Sequence, residues 1–289
     1  MLTSFTPLPR FGVHCHMMPD GAPHVHERFG AAAHPGHRVI AVCGKGGVGK
    51  TALSALMTTA LARSGHAGRL LVIDADPAFG LAIALGLQTE RSLGAVRDEL
   101  LAAAQSGSAE AERDMAERLD YLVFESLVET DDFAFLAMGR SRDLGCYCSV
   151  NDLLRDAVEL LAREFDTIVI DGEAGLEQVN RQVVAALDDL IVVTDGSNRG
   201  ARTVETLWDM AAENDLVPHG HFHMILNRQV PALPVASLRA DVAPHLLGSV
   251  PADDDLAAAD REQRPLTDLL SDNAAYAAVE AAMAHLLSH

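Results

Sequence analysis

The segment from Gly44 to Thr51 is the feature that most constrains how this chain can fold. An apolar run at 39–42 precedes it and a helix-like segment at 50–63 follows, which is the strand–loop–helix context of a phosphate-binding loop. Its glycines allow backbone N–H groups to surround a polyphosphate, and the helix N-terminus adds unpaired donors and a favourable dipole. We therefore expect ATP here, with Lys50 on the β- and γ-phosphates and the Thr51 hydroxyl on Mg²⁺. The predicted nucleotide-binding residues of this segment are Gly44, Lys45, Gly46, Gly47, Val48, Gly49, Lys50, Thr51 and Ala52.

A second lysine, Lys45, lies inside the same loop. With it the loop resembles that of the deviant P-loop ATPases, the group that holds MinD, ParA, the arsenite-pump ATPase and the nitrogenase iron protein. In that group the extra lysine crosses a dimer interface to the partner's nucleotide. The resemblance therefore implies a homodimer that forms with ATP, and it places Lys45 beside Lys50 among the catalytic residues.

Apolar strand-like runs alternate with helix-like patterns from Arg38 onward, which predicts an α/β fold. Continuous apolar strands favour a doubly wound, mostly parallel sheet of about seven strands with helices on both faces. We expect a single P-loop NTPase domain over residues 38–289, with a polar, alanine-rich helical insertion at 88–118. The predicted strands are 38–43, 69–74, 120–125, 166–171, 189–194, 221–227 and 246–250, and the predicted helices include 50–63, 149–164, 175–187, 200–214 and 272–287.

Residues 1–37 differ from the rest of the chain. They contain five prolines and six histidines and show little hydrophobic periodicity, which is typical of a flexible extension ahead of the domain. The cluster at 14–18 carries residue types that bind nickel or copper, although a leader without a ligand is the simpler interpretation. Histidines 219, 221 and 223 alternate into a strand, and we expect a satisfied or solvated row there.

The overall charge narrows the classes of partner. The formal net charge is −19, and lysine occurs only at positions 45 and 50, so nucleic acid and anionic membranes are poor partners. No apolar run approaches the roughly 18 residues that span a bilayer, and the first residues lack the apolar centre of a signal peptide. Four cysteines in this length do not suggest a disulfide scaffold. We expect a cytoplasmic protein without nucleic-acid or membrane partners.

Acidic residues follow two of the predicted strands. Asp74 and Asp76 lie two apart where the second strand ends, so they point the same way, and Asp171 ends the fourth predicted strand. An acid at the end of an apolar strand holds Mg²⁺ through water in P-loop enzymes, which predicts Asp171 as a magnesium ligand with Thr51. In the resembled ATPases the aspartate before the proline activates the attacking water. That implies this catalytic role for Asp76, with Asp74 on the Mg²⁺ hydration shell.

Two later strand ends resemble the adenine-binding segments of the same ATPase group. The segment 224–228 ends in Asn227 and Arg228, and the resemblance implies that Asn227 reads the adenine base. The turn that ends at Pro251 resembles the loop that closes over the base. The segment 173–175, directly after the Asp171 strand, is expected to sense the γ-phosphate.

A close cysteine pair, Cys146 and Cys148, precedes the helix predicted from residue 149. In an extended segment residues two apart point to the same side, so the two sulfurs can converge on one ion. Thiolates suit soft or borderline metals such as Zn²⁺, Ni²⁺ and Cu⁺. Because two ligands rarely complete a site, two such pairs related by the twofold axis of a dimer would supply four sulfurs.

The neighbourhood of this pair resembles the CooC-type ATPases, which help to insert nickel into carbon monoxide dehydrogenase. Residues 132–178 contain the Met-Gly, Gly-Cys-x-Cys, Asn-x-Leu-Leu-Arg and Asp-x-Glu-Ala-Gly-Leu-Glu elements of that family. The resemblance extends in motif order over residues 38–285. It implies that Cys146 and Cys148 bind nickel or zinc between subunits, and that hydrolysis at Asp76 rearranges the dimer and releases the metal to a client nickel enzyme.

Two other functions remain open. A MinD- or ParA-like positioning or partition ATPase needs a basic surface or a basic C-terminal helix, but residues 273–289 contain no lysine or arginine. A reductase like the nitrogenase iron protein takes its cluster cysteines from separate loops rather than from one Cys-x-Cys. Cys43, at the end of the first strand, is expected to be a core residue and therefore a poor second ligand.

Overall fold

The computed structural model describes residues 37–140, 156, 158–172, 187–213, 217, 221–229, 238–270 and 272–288. Its strands are β1 (Arg38–Gly44), β2 (Leu70–Asp74), β3 (Leu127–Glu129), β4 (Ala134–Ala137), β5 (Thr167–Asp171), β6 (Asp189–Thr194), β7 (Phe222–Gln229) and β8 (Leu246–Pro251). Within the described residues these eight strands form one sheet in the order β3-β4-β2-β5-β1-β6-β7-β8. Neighbouring strands are parallel except for β3 and β4, which are antiparallel.

The helices of the described residues cover both faces of the sheet. They are α1 (Lys50–Ser64), α2 (Gly80–Ala84), α3 (Leu93–Gln105), α4 (Ala109–Glu125), α5 (Asn198–Glu213), α6 (Asp254–Arg261) and α7 (Ala274–Leu287), with single 3₁₀ turns at Ala243–His245 and Leu266–Leu269. Side-chain oxygens cap four of them by accepting a backbone N–H of the first turn, as N-cap residues do. The capping residues are Ser92, Ser108, Asp253 and Asn273.

The sheet separates two hydrophobic cores, because successive residues of each strand face opposite sides. On β1, Val39 and Cys43 belong to the core shared with α3, α4 and α5. Ile40 and Val42 belong to the core on the other face, under α1 and α7. Every strand from β1 to β6 except the short β3 is almost wholly buried, which is why the sequence shows continuous apolar runs.

The predicted strand at 120–125 is wrong, because these residues form the last turns of α4. Met115, Leu119 and Leu122 are buried while Tyr121 and Phe124 are exposed, so the apolar residues follow the spacing of a helix. The sequence also missed β3 and β4, and the sheet therefore has one strand more than expected. The prediction that residues 88–118 are helical is confirmed, because they form α3 and the first part of α4. That this segment is an insertion stays a prediction.

The remaining elements agree well with the sequence. The other six predicted strands and the helices at 50–63, 200–214 and 272–287 are confirmed, each to within about two residues, the usual uncertainty of such boundaries. Residues 156 and 158–162 are helical, as the end of the helix predicted at 149–164 should be. Residues 1–36, 149–155 and 175–186 lie outside the described residues. No described helix is both long enough and apolar enough to span a bilayer.

Candidate nucleotide site

The phosphate-binding loop joins β1 to α1, and its backbone conformation requires glycine at two positions in particular. Gly44 has φ +140°, and a Cβ there would collide with the carbonyl oxygen of Val193 on the neighbouring strand β6. Gly49 caps α1 with φ +90°, in the left-handed region that costs other residues free energy. Val48 between them is buried, while Gly46 and Gly47 are exposed. The loop is thus fixed at its base and open at its tip, where a polyphosphate would lie.

Two side chains from β7 hold this loop in place. Asn227 is buried, and its Nδ2 donates a hydrogen bond of 2.8 Å to the backbone oxygen of Val48. Arg228 Nη1 donates a hydrogen bond of 3.1 Å to the backbone oxygen of Gly47. Arg228 has φ +52°, a left-handed conformation that is rare for a residue with a side chain. We call Asn227 and Arg228 the loop clamp; its hydrogen bonds add a structural role to the adenine contact that the sequence predicts for Asn227.

The two lysines of the loop lie in different environments. Lys50, the first residue of α1, lies with its Nζ 3.4 Å from the backbone oxygen of Lys45, so its ammonium group sits over the loop. Lys45 Nζ lies 3.7 Å from Asp195 Oδ2, a partly exposed carboxylate that follows β6. The position of Lys50 agrees with the predicted phosphate contact. The role of Lys45 across a dimer interface stays a prediction.

Asp171 lies beneath the loop, at the carboxyl end of β5. Its Oδ1 accepts a 2.8 Å hydrogen bond from Ser54 Oγ, and its buried Oδ2 has no hydrogen-bond partner among the described atoms. Burial raises the pKa of Asp171 to about 6, while the hydroxyls of Ser54 and Thr51 and the charge of Lys50 oppose the rise. A buried carboxylate oxygen without a partner beside a hydroxyl is a donor set that Mg²⁺ accepts. Thr51 and Asp171 therefore fit the predicted magnesium site.

Asp74 shapes the loop that follows β2. It pairs in register with Asp171 on the adjacent strand β5. Its Oδ1 accepts the backbone N–H of Asp76 at 3.0 Å and its Oδ2 accepts that of Leu81 at 3.1 Å. Burial raises the pKa of Asp74 to about 7, the Asp171 carboxylate adds to the rise, and the two backbone hydrogen bonds oppose it. Both carboxylate oxygens of Asp74 thus bracket the loop that carries Asp76, while its place on the Mg²⁺ hydration shell stays a prediction.

Asp76, the predicted catalytic aspartate, lies on that bracketed loop. Its Oδ1 accepts the backbone N–H of Ala78 at 2.8 Å, and its backbone oxygen accepts that of Phe79 at 3.3 Å. Phe79 has φ +59°, so the turn is tight. Next to it, Gly80 lies against Thr51, because a Cβ at Gly80 would come within 3.3 Å of Thr51 Cγ2. The structure thus brings the Asp76 loop and the phosphate-binding loop together.

Pro251 ends β8 and leads into the junction of two helices. Asp253 caps α6 by accepting the N–H of Leu256 at 2.8 Å, and its other oxygen accepts Asn273 Nδ2 at 3.0 Å. Asn273 in turn caps α7 by accepting the N–H of Tyr276 at 2.8 Å. The turn after Pro251 is therefore held by linked caps, at the same end of the sheet as Asn227.

The histidines at the start of β7 belong to the opposite end of the sheet. Asp189 is buried there, and its oxygens lie 2.6 Å from Arg38 Nε, 3.0 Å from His223 Nε2 and 3.3 Å from His221 Nδ1. Burial opposes ionisation of Asp189, yet hydrogen bonds from His223 and Arg38 and the charge of Arg38 outweigh burial and hold its pKa below the usual range. His223 therefore fits the expected satisfied or solvated row. His221 Nδ1 is buried and makes no hydrogen bond among the described atoms, and His219 lies outside the described residues.

Of the three cysteines named in the sequence analysis, only Cys43 lies within the described residues. Cys43 is fully buried, and burial raises the pKa of its thiol to about 12, so the prediction that it is a core residue is confirmed. Cys146 and Cys148 lie outside the described residues, as does the segment 173–175.

Ser54 is a site residue that the sequence analysis missed. Its signal was a polar side chain one helical turn after Thr51, on a helix whose other buried residues are apolar apart from Thr58.

The chain is similar to several proteins of known sequence. An uncharacterized ATP-binding protein of Methanocaldococcus jannaschii is 36% identical over 247 residues, covering 84% of this chain and 95% of its own. The carbon monoxide dehydrogenase accessory protein CooC of Rhodospirillum rubrum is 31% identical over 241 residues, covering 80% and 89%. The septum site-determining protein MinD of a Synechocystis species is 31% identical over 199 residues, covering 68% and 65%.

Solved structures and a family model agree on the fold. A chain of the MinC:MinD cell division protein complex of Aquifex aeolicus matches with a TM-score of 0.63 at 20% identity, covering 87% of this chain and 96% of its own. MinD of Pyrococcus horikoshii, complexed with Mg-ADP, has a TM-score of 0.60 at 18% identity, covering 86% and 96%. The family model AAA_31, an AAA domain, matches residues 37–215, which is more than half of the chain. With its phosphate-binding loop on a parallel sheet, this chain therefore belongs to the AAA_31 family of P-loop ATPases.

Proposed function

We propose that this protein is an ATP-hydrolysing metallochaperone that delivers nickel, or zinc, to a nickel enzyme such as carbon monoxide dehydrogenase. The observation that carries the proposal is the presence, in one chain, of a clamped nucleotide loop and the Gly-Cys-x-Cys segment at 145–148. The 31% identity with the accessory protein CooC over 80% of the chain supports it. Metal binding by Cys146 and Cys148 is part of the proposal.

The nucleotide half of the cycle uses residues of the described site. Lys50 and the N–H groups of the loop hold the phosphates, and Thr51 and Asp171 hold Mg²⁺, which when bound neutralises charge on the phosphates. Asp76 orients the attacking water and accepts its proton as hydrolysis proceeds. In the ATP-bound dimer Lys45 leaves Asp195 for the partner's phosphates; because that ion pair is partly exposed, breaking it costs at most about 1 kcal/mol.

The metal half of the cycle uses the cysteine pair. Each chain supplies two thiolates, and a dimer supplies a four-sulfur site of the kind that holds Zn²⁺ or Ni²⁺. Hydrolysis at Asp76 separates the two pairs and releases the ion to the client. Affinity falls as pH decreases, because the thiols must lose their protons to bind.

A positioning ATPase is the second candidate function, favoured by the 31% identity with a septum site-determining MinD. This candidate predicts ATP-dependent dimerisation but no dependence on the cysteine pair. The two functions therefore separate on metal binding rather than on nucleotide chemistry.

Equilibrium binding of Ni²⁺ and Zn²⁺ to the reduced full-length protein tests the proposal. We expect the parent to bind about one more ion per two chains than Cys146→Ser/Cys148→Ser, since a twofold site is shared. Cys15→Ser, a control that removes a thiol of the N-terminal extension, should bind as much metal as the parent. All of these variants should still bind ATP. Equal metal binding by the parent and the double variant would refute the chaperone function and leave the positioning ATPase.

A further inference from the structure

Two aromatic side chains are exposed side by side on α4. Tyr121 is 58% and Phe124 45% exposed, and apart from Ile83 on α2 they are the large exposed hydrophobic side chains of the described residues. Residues three apart on a helix lie on one face, so the two rings are neighbours on the same exposed face of α4. An exposed apolar patch on a soluble domain commonly marks an interaction site. Neither ring contributes to the nucleotide site.

The surroundings of this aromatic pair are acidic. Glu117 lies one turn before Tyr121 and Asp120 one turn before Phe124, and both acids are exposed. Neither forms an ion pair within the described part of the chain, while Arg118 is paired with Asp114 at 3.8 Å. Across its length α4 carries two arginines, Arg113 and Arg118, and six acidic residues: Glu110, Glu112, Asp114, Glu117, Asp120 and Glu125. The patch therefore combines apolar faces with a negative rim.

This combination selects the chemistry of the partner. A second copy of the chain would bring six acids against six acids on a protein of net charge −19, and anionic membranes and nucleic acid are repelled for the same reason. A cationic segment is attracted by the acids, and guanidinium or ammonium groups also bind the faces of aromatic rings. Apolar side chains of the same segment would cover the rest of the rings.

We propose that Tyr121 and Phe124, with Glu117 and Asp120, form a docking surface for a basic segment of another protein that carries apolar residues between its arginines or lysines. The rings supply the buried centre of the contact and the acids its charged rim, as in other specific interfaces. This surface is independent of the cysteine pair and of the proposed metal cargo. It would recruit its partner equally to a metallochaperone or to a positioning ATPase.

Fluorescence anisotropy with a labelled peptide of alternating arginine and leucine tests the surface on the full-length protein. We expect Tyr121→Ala/Phe124→Ala to raise the Kd about tenfold or more, the size expected for loss of aromatic anchors. Ile83→Ala, the matched loss of the third exposed hydrophobic side chain, leaves the Kd within about twofold. Glu117→Gln/Asp120→Asn weakens binding more than Asp260→Asn/Glu280→Gln, which removes the same charge from α6 and α7.

Comparator peptides separate this surface from general attraction to an acidic protein. A peptide of alternating arginine and serine should bind the parent and Tyr121→Ala/Phe124→Ala with the same Kd. A peptide of alternating glutamate and leucine should not bind either protein. Equal Kd values for the parent and Tyr121→Ala/Phe124→Ala overturn the proposal, provided that circular dichroism shows both folded. It is also overturned if the aromatic variant loses self-association in sedimentation while still binding the arginine–leucine peptide, because the surface would then join two copies.

Discussion

Replacing Gly49 by alanine should weaken the folded state through two separable effects. Gly49 has φ +90°, and left-handed backbone costs a residue with a Cβ about 1–2 kcal/mol. The new Cβ would also lie 2.6 Å from Asn227 Nδ2, which cannot stay there and keep its 2.8 Å hydrogen bond to Val48. Losing that buried hydrogen bond costs about 1 kcal/mol more. We expect Gly49→Ala to lower the free energy of unfolding by about 2–3 kcal/mol.

The loop offers matched controls for both effects. Gly47 has φ +81° but open space around a Cβ, so Gly47→Ala should cost only the backbone component of about 1–2 kcal/mol. Gly46 has open space and no positive φ, so Gly46→Ala should be near neutral. All three substitutions restrict the unfolded chain equally, and that contribution cancels in the comparison.

Urea unfolding without nucleotide measures these differences, and a double-mutant cycle isolates the clamp. In an Asn227→Ala background the collision is gone, so Gly49→Ala should cost no more than Gly47→Ala does. If Gly49→Ala costs the same with and without the Asn227 side chain, Asn227 does not hold the loop and the clamp interpretation fails.

Three further predictions concern other residues. Calorimetry should show that Lys50→Ala no longer binds ATP. Asp76→Asn should bind ATP but release phosphate at least about 100-fold more slowly than the parent, the scale expected when general-base catalysis is lost. Phosphate release at the parental rate would show that Asp76 does not have that role. Lys45→Ala should leave the free energy of unfolding within about 1 kcal/mol, because its ion pair is partly exposed, yet prevent the ATP-dependent dimer in sedimentation. Asp189→Asn should cost up to about 3 kcal/mol at pH 7, since it breaks the pair between this buried carboxylate and the partly exposed Arg38. The folded pKa of Asp189 is lowered, so its contribution to stability is complete above the ordinary carboxyl pKa of about 4 and is lost as pH falls through the lowered value. In urea unfolding, the difference in free energy between the parent and the variant should therefore narrow in that acidic range.

The sequence predicts the central strands well because they are buried on both faces. Continuous apolar runs such as 167–171 have no alternative reading once helices alternate with them. The run at 120–125 misled because four apolar residues between two acids fit a strand as well as the end of a helix. The helix is recognised only from the burial of Met115, Leu119 and Leu122 on one face, and that burial is visible only in the tertiary fold. The short strands β3, at the edge of the sheet, and β4, beside it, carry too few residues for a pattern.

The nucleotide site likewise contains features that the sequence could predict and features that it could not. The loop glycines, Lys50 and Asp171 were predictable because their chemistry follows from spacing and from the ends of strands. The clamp was not, because Asn227 and Val48 are 179 positions apart and their contact depends on the order of strands in the sheet. Likewise Asp74 could be placed at the site, but its hydrogen bonds to the N–H groups of Asp76 and Leu81 depend on the conformation of the loop.

Release of nickel driven by hydrolysis tests the proposed function most directly. The reduced full-length protein is loaded with Ni²⁺, a chromogenic chelator is added, and the rate of metal transfer is followed before and after Mg-ATP. We predict that Mg-ATP accelerates transfer from the parent, and that Asp76→Asn, which still binds ATP, retains its metal. Equal acceleration in Asp76→Asn, or no effect of Mg-ATP on the parent, would contradict the coupling of ATP hydrolysis to metal delivery.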